Sequence, residues 1–493
     1  MKDATRSKKK RRGGTRRKTG NDETCKKRHS RCDEKKPVCG NCERLVLECL
    51  PSDYIPPSNW NNTFAPTTSD STVYPSQPSS LLDISSDTPN QPSSTWEIFQ
   101  SRLANMEIST NGSSPTDMCD LPLPTPSSSL TDFTTITATN LTPEIAFLLQ
   151  TYLRTVATWM DLFDYTCTYQ LQIPRVMLKS SLLLTCICAF TAKHLSLFSS
   201  RSLHSSWDSI ARRYYGSALR LLIATLNGPS DEHTLTATIL LSSYEILDTL
   251  ASEQMRKHFL GTRLLIKSHS ISAQSSGIAL ANFWIYVRHE IGVALSTEKP
   301  LVLSPEEWNV VWSECEARED VLGRKCLWIL ARVINLVYGE ESLTSTGKHK
   351  RGALLLELEE WRNRLPDTCI GIPYGEKDKN GFRKVYFTVT EAAAAAFWYH
   401  VSHILLYAEP VLQDPSYIPL IQEQAIETAN IALSEFPDSL RVFATHGLFQ
   451  AAKHIKGIGK KARIWGILDD VERELGYHTG SIVRRLQALI EKE

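Results

Sequence analysis

Five cysteines, Cys25, Cys32, Cys39, Cys42 and Cys49, crowd one short stretch, with six, six, two and six residues between successive members. Thiolates two residues apart can grip one tetrahedral metal ion from a single turn, and zinc sites are built from such pairs brought together by a loop. Cys39 and Cys42, followed by Cys49, fit that chemistry. Lys26, Lys27, Arg28, His29 and Arg31 fill the space between the first two cysteines.

The whole stretch, CKKRHSRCDEKKPVCGNCERLVLEC, closely resembles the cluster of the fungal six-cysteine binuclear zinc-cluster transcription factors. That family's pattern is Cys, two residues, Cys, six residues, Cys, a short loop usually containing Pro, Cys, two residues, Cys, six to eight residues, Cys. The five cysteines here fall on the second to sixth positions, with Pro37 in the loop, and Asp22 stands at the first. The resemblance implies two zinc ions bridged by the first and fourth positions, so the departure removes a ligand from both. Three readings of Asp22 stay open. Its carboxylate supplies the bridge, since Asp is a legitimate zinc ligand; a misplaced splice junction at NDET hides a genuine cysteine; or the cluster is degenerate and no longer holds two zincs. The second is preferred, then the third, because the rest of the motif is intact.

By the same resemblance, the segment between Cys25 and Cys32 is a short helix whose end enters the major groove, held rigid by metal in the absence of an apolar core. Arg28 and His29 stand where base-reading side chains usually do. Lys26, Lys27 and Arg31 would meet phosphates, and Lys35 and Lys36 are expected to contact the DNA backbone. Arg or His donating to guanine O6 and N7 would suit CGG-like triplets. Glu43 and Arg44 are expected to form surface pairs.

Charge follows the same division. Residues 1 to 50 hold 17 Lys and Arg against 7 Asp and Glu, a balance of +10, within a chain of 493 residues whose net charge is only +1. One basic end on a mildly acidic protein is the asymmetry expected of a partner for a polyanion. Lys8, Lys9, Lys10, Arg11 and Arg12, then Arg16, Arg17 and Lys18, form two basic runs that read as a nuclear import signal and a phosphate-seeking arm. Residues 1–20 are expected to lack fixed structure before DNA binds. The expected location is the nucleus. No run of eighteen apolar residues argues for a membrane span, and the polar, basic start argues against a secretory signal. Thiols should then stay reduced. Cys186 and Cys188, in the apolar run SLLLTCICAF, read as buried small hydrophobes, and Cys119, Cys167, Cys315, Cys326 and Cys369 are scattered.

The cluster is assigned residues 21–50. Residues 51–140 are rich in Ser, Thr, Pro and Asn, with nine acidic residues, one Arg and no Lys. That composition cannot bury enough apolar area to offset its ordering entropy, so a disordered linker is expected. Within it Trp96, Phe99, Leu103 and Met106 share one helical face, suited to an acidic-hydrophobic activation segment, to docking on the folded domain, or to a plain spacer. No apolar heptad follows the cluster, so no coiled coil is expected, and a homodimer would form through the C-terminal domain.

The pattern changes at Thr142, where Thr142, Pro143 and Glu144 make an N-cap, a first-turn proline and an acidic first turn. Ile145 to Met160 then repeats apolar residues every three to four positions, predicting one amphipathic helix. Twelve more are expected, among them Leu182–Leu197, Ile278–Leu295, Ala353–Arg364, Thr388–Leu406 and Leu440–Ile455, with an exposed loop at Ile370–Arg383. Residues 141–493 therefore read as one all-α domain behind a small zinc-cluster module. TPEIAFLLQTYLRTVATWMDLFD, FWIYVRHEIGVAL and FATHGLFQAAKHIKGIG resemble the fungal-specific regulatory domain found behind such clusters. The resemblance implies regulation through a small-molecule or protein effector, and no catalytic residues.

Other patterns dissolve on inspection. HEIGVA at His289 lacks the second histidine of a zinc protease, and Gly457, Gly459 and Lys460 lack the spacing of a phosphate loop. Asp469 and Asp470 hint at the acids of a terpene-type synthase, but Arg473 stands where a further acid is wanted; a solvated helix face is the preferred reading. Arg288, His289 and Glu290 read as a buried or interfacial polar network. The sequence points to a zinc-dependent DNA-binding regulator of RNA polymerase II transcription, working with the transcription machinery, with activation favoured over repression. The rival reading is a regulatory or scaffold protein whose broken cluster does not bind DNA.

Overall fold

Thr142 does what its position requires: its hydroxyl accepts from the Ile145 N–H at 3.3 Å, its backbone is extended, and Pro143 opens the first turn. The computed structural model describes residues 141–198, 201–227, 232–248, 253–408, 414–434 and 436–491, all within one compact unit. The basic tail, the cysteine cluster and the linker with its Trp96 island lie outside them.

The helix expected to run to Met160 is two, α1 (Pro143–Arg154) and α2 (Val156–Met160), broken at Thr155. The Thr151 and Thr155 hydroxyls donate back to the carbonyls of Phe147 and Thr151, and such back-bonding bends helices. A π turn at Thr168–Gln172 and a short α3 (Ile173–Met177) follow. Neither carries a periodic apolar stripe, and the sequence pattern predicts neither. Asp161 holds this turn by accepting from the Tyr169 and Gln170 N–H groups, each at 2.9 Å.

The large helices come next: α4 (Ser181–Phe198), α5 (Arg201–Thr225), α6 (Glu232–Asp248), α7 (Glu253–Ser268) and α8 (Gly277–Thr297). Then come α9 (Glu319–Val337), α10 (Ser345–Asn363), α11 (Thr390–Ala408), α12 (Tyr417–Ala432), α13 (Asp438–Phe443), α14 (Thr445–His454), α15 (Ile458–Leu475) and α16 (Gly480–Ile490). α4 packs against α1, α5 and α6, while α11 lies among α9, α12 and α14. Both central helices are apolar on most of their circumference, as full burial demands. On α11 the run Ala392 to Trp398 is buried throughout, and the small alanines let neighbouring helices approach. Among the described residues no helix is long and apolar enough to cross a membrane.

Three boundaries differ from expectation. α10 begins eight residues before Ala353, because the Thr344 hydroxyl caps the Gly347 N–H at 3.0 Å through a polar stretch with no apolar period. The helix expected at Leu440–Ile455 is split at Ala444 into α13 and α14. The expected loop holds an antiparallel hairpin, β1 (Ile372–Tyr374) and β2 (Lys384–Tyr386), with Pro373 opposite Val385. The outward N–H groups of Arg383, just before β2, and of Val385 within it donate to Asn430 Oδ1 near the end of α12 and to Ser434 Oγ just beyond it, each at 2.8 Å. Pro373, at the matching outward position of β1, has no N–H to offer.

Candidate functional site

All the residues singled out as metal ligands, Asp22 and the five cysteines, lie outside the described residues, as do Lys26, Lys27, Arg28, His29, Arg31, Lys35, Lys36 and the import residues. Their donor chemistry still suits zinc: thiolates two residues apart are soft ligands for a tetrahedral ion, and Asp22 would add a carboxylate. Among the described residues no group of three or more His, Cys, Asp or Glu could hold a metal ion.

The lesser motifs resolve into structure. Cys186 and Cys188 are fully buried on α4, and burial pushes both thiols up, that of Cys188 to about 12, so they pack as small apolar side chains. Asp470 pairs with Arg473 on the outer face of α15, while Asp469 is exposed beside it. Gly457 precedes α15 with φ +101°, a conformation glycine alone adopts easily, and serves as its N-cap. The Glu290 carboxylate accepts from the Val302 and Leu303 N–H groups, which anchors the chain as it leaves α8.

What α8 does present is a cavity. The short α2 ends with its last carbonyls unpaired within the helix. Arg288 answers them, donating to Trp159 O at 3.0 Å and to Met160 O at 2.5 Å. Its guanidinium also lies 5.6 Å from the Phe443 ring centroid. Burial lowers Arg288 to about 10, which leaves it charged at neutral pH. Gly292, one turn further along the same face, has no side chain to fill the gap, and a β-carbon there would meet His446 Cδ2 at 3.5 Å. The space between them measures about 70 Å3, walled by Trp159, Phe190, Leu247 and Phe443.

Two histidines line it. Burial, then the adjacent Arg288 charge, holds His289 at about 3. His446 is 5% exposed and held at about 4 by burial and by Arg485. Its Nε2 is buried and has no hydrogen-bond partner. Sequence reasoning groups Arg288 with His289 and Glu290, but the structure turns Glu290 to the loop at Val302 and Arg288 toward α2. His446 carries no sequence signal, because only the packing of α14 brings it to Gly292.

Residues 147–337 match the family described as Fungal specific transcription factor domain, and residues 23–56 match the Fungal Zn(2)-Cys(6) binuclear cluster domain. The chain thus carries a fungal zinc-cluster domain and a fungal-specific transcription factor domain, two transcription-factor domain families that are not enzymes. Its fold class is a small zinc-cluster module followed by a helical domain. Sterol uptake control protein 2 of Candida albicans (strain SC5314 / ATCC MYA-2876) is similar to it, 65% identical over 26 residues. That match spans 5% of this chain and only 4% of the relative. No solved structure matches.

Proposed function

We propose that the chain is a nuclear, sequence-specific regulator of RNA polymerase II transcription whose zinc-held helix reads CGG-like triplets. The observation that carries this is the match to the binuclear cluster family over residues 23–56, coinciding with the basic insert Lys26 to Arg31 between two of its cysteines. In this reading residues 1–20 are a basic import and phosphate-contact arm, 21–50 the cluster, 51–140 an acidic linker favouring activation, and 141–493 the regulatory domain. That domain takes an effector input and supplies any dimer contact. Two zinc ions are held by Cys25, Cys32, Cys39, Cys42 and Cys49, with Asp22 or a cysteine at its position completing the set. The zincs hold the short helix rigid; Arg28 and His29 meet base edges, and Lys26, Lys27, Arg31, Lys35 and Lys36 meet phosphates.

Metal content of the purified full chain, measured beside a gel shift on CGG-containing duplexes, tests the reading. Two zincs per chain and a triplet-dependent shift are expected. One zinc or none, with no shift, would instead favour the scaffold reading, which has its own motive in Asp22, a residue that leaves both ions one thiolate short.

A further inference from the structure

We infer that the cavity between α2, α8 and α14 is a binding site for a small monocarboxylate with a short apolar body, its headgroup meeting Arg288 and His446. The inference rests on the regulatory reading of the helical domain and names the class of its effector.

Three observations converge. First, Arg288 is a buried cation with no carboxylate within ion-pair distance among the described residues; both of its hydrogen bonds go to backbone carbonyls. A guanidinium has five N–H donors in a planar fork that suits a carboxylate, so most of this one's capacity remains unused. Asp161, the acid that bears most strongly on its charge, is already engaged by Tyr169 and Gln170. Second, His446 Nε2 is a buried polar atom without a partner on the same cavity wall. Such an atom is costly when left unmet, and a ligand oxygen would meet it. Third, the remaining walls are mainly apolar, with Ser243, Ser439 and Tyr477 the polar exceptions alongside His289, and the space is limited. A single water occupies roughly 10–15 Å3 by the same measure, so 70 Å3 admits a body of about five to seven non-hydrogen atoms. Butyrate and isobutyrate are of that size.

The absence of a side chain at Gly292 is what leaves the space open. Substitution there fills the cavity from a helix whose backbone need not move, since the nearest atom to an added β-carbon is the edge of His446 at 3.5 Å, an ordinary contact.

The probes are sodium butyrate and, as a neutral counterpart of similar shape, 1-butanol, added to the purified full chain at pH 7 and constant ionic strength. Thermal unfolding and titration calorimetry are the readouts. Butyrate is expected to raise Tm saturably and to bind at least tenfold more tightly than 1-butanol. Gly292→Leu should abolish the effect, and His446→Gln, which keeps a polar group at the site, should weaken it severalfold. If Gly292→Leu does not fold, Gly292→Ala must lower butyrate affinity at least threefold. No saturable shift, equal binding of the alcohol, or butyrate binding unchanged in the Gly292 variants would overturn the site. Neither zinc content nor DNA enters these readouts, so failure of the cluster to read DNA would be seen separately.

Discussion

Gly447 on α14 lies so close to Phe397 on α11 that a β-carbon at that position would sit 2.4 Å from the ring's Cε1. Phe397 is fully buried and cannot swing away. Gly447→Ala is therefore expected to destabilise the helical domain by about 1–3 kcal/mol, the usual result of overpacking. Gly466, inside α15, has open space where a β-carbon would stand, with nothing within 4 Å, and no positive φ. Gly466→Ala should stabilise by about 0.5–1 kcal/mol through helix propensity. Urea unfolding of the two variants reads both signs, and equal effects would contradict the packing described.

Glu290 gives a second test. Its Oε1 accepts two backbone N–H groups at Val302 and Leu303, so Glu290→Ala strands both and should cost about 2–4 kcal/mol, at roughly 1–3 kcal/mol for each buried unmet group less what relaxation recovers. Glu290→Gln retains an acceptor oxygen and should cost clearly less. Equal costs for the two in thermal unfolding would mean the charge, not the acceptor, is what the loop uses.

Acid should weaken the fold before it protonates most carboxylates. Burial holds His194 and His446 at about 4, each below the ordinary value of 6.5, and both are 5% exposed. Each ring is neutral in the fold and takes up a proton when the chain unfolds below pH 6.5. Their contribution is thus complete above 6.5 and is lost as pH falls toward 4, at up to about 2 kcal/mol per group near pH 5. Asp161 runs in the opposite sense: burial raises it to about 6 from 3.8, so its contribution is present below 3.8 and lost as pH rises through 6. Two histidines against one aspartate predict a net fall in Tm between pH 7 and pH 5. His194→Gln, which retains a partner for Leu475 O (3.0 Å from the native Nε2), should flatten that slope.

On the DNA side, Arg28→Ala is expected to relax base preference within the triplet, losing about 1–3 kcal/mol of discrimination. Lys27→Ala should weaken all sequences alike and reduce the salt slope by about one. Competition gel shifts at two salt concentrations separate these, and the reverse pattern would exchange the two roles.

Legibility in the sequence follows the physical range of each signal. The cysteine spacing is local and readable outright, as are the Thr142 cap and the helices whose apolar period is unbroken, such as α8. Thr155 breaks a helix through hydroxyl bonds that leave the apolar pattern intact. The start of α10 is hidden because a cap, not a stripe, defines it. The β hairpin escapes sequence reasoning because each strand is only three residues long and draws its outer bonds from Asn430 and Ser434, far away in the chain. The cavity is out of reach for the same reason: Trp159, Arg288 and His446 become neighbours only after three helices have packed.

The two edges of that hairpin carry a last consequence. One is spent on the Asn430 and Ser434 side chains at and just past the end of α12, and the other presents a proline where a donor would be needed. Neither can template an added strand. Within the described residues this hairpin therefore offers a poor seed for cross-β growth.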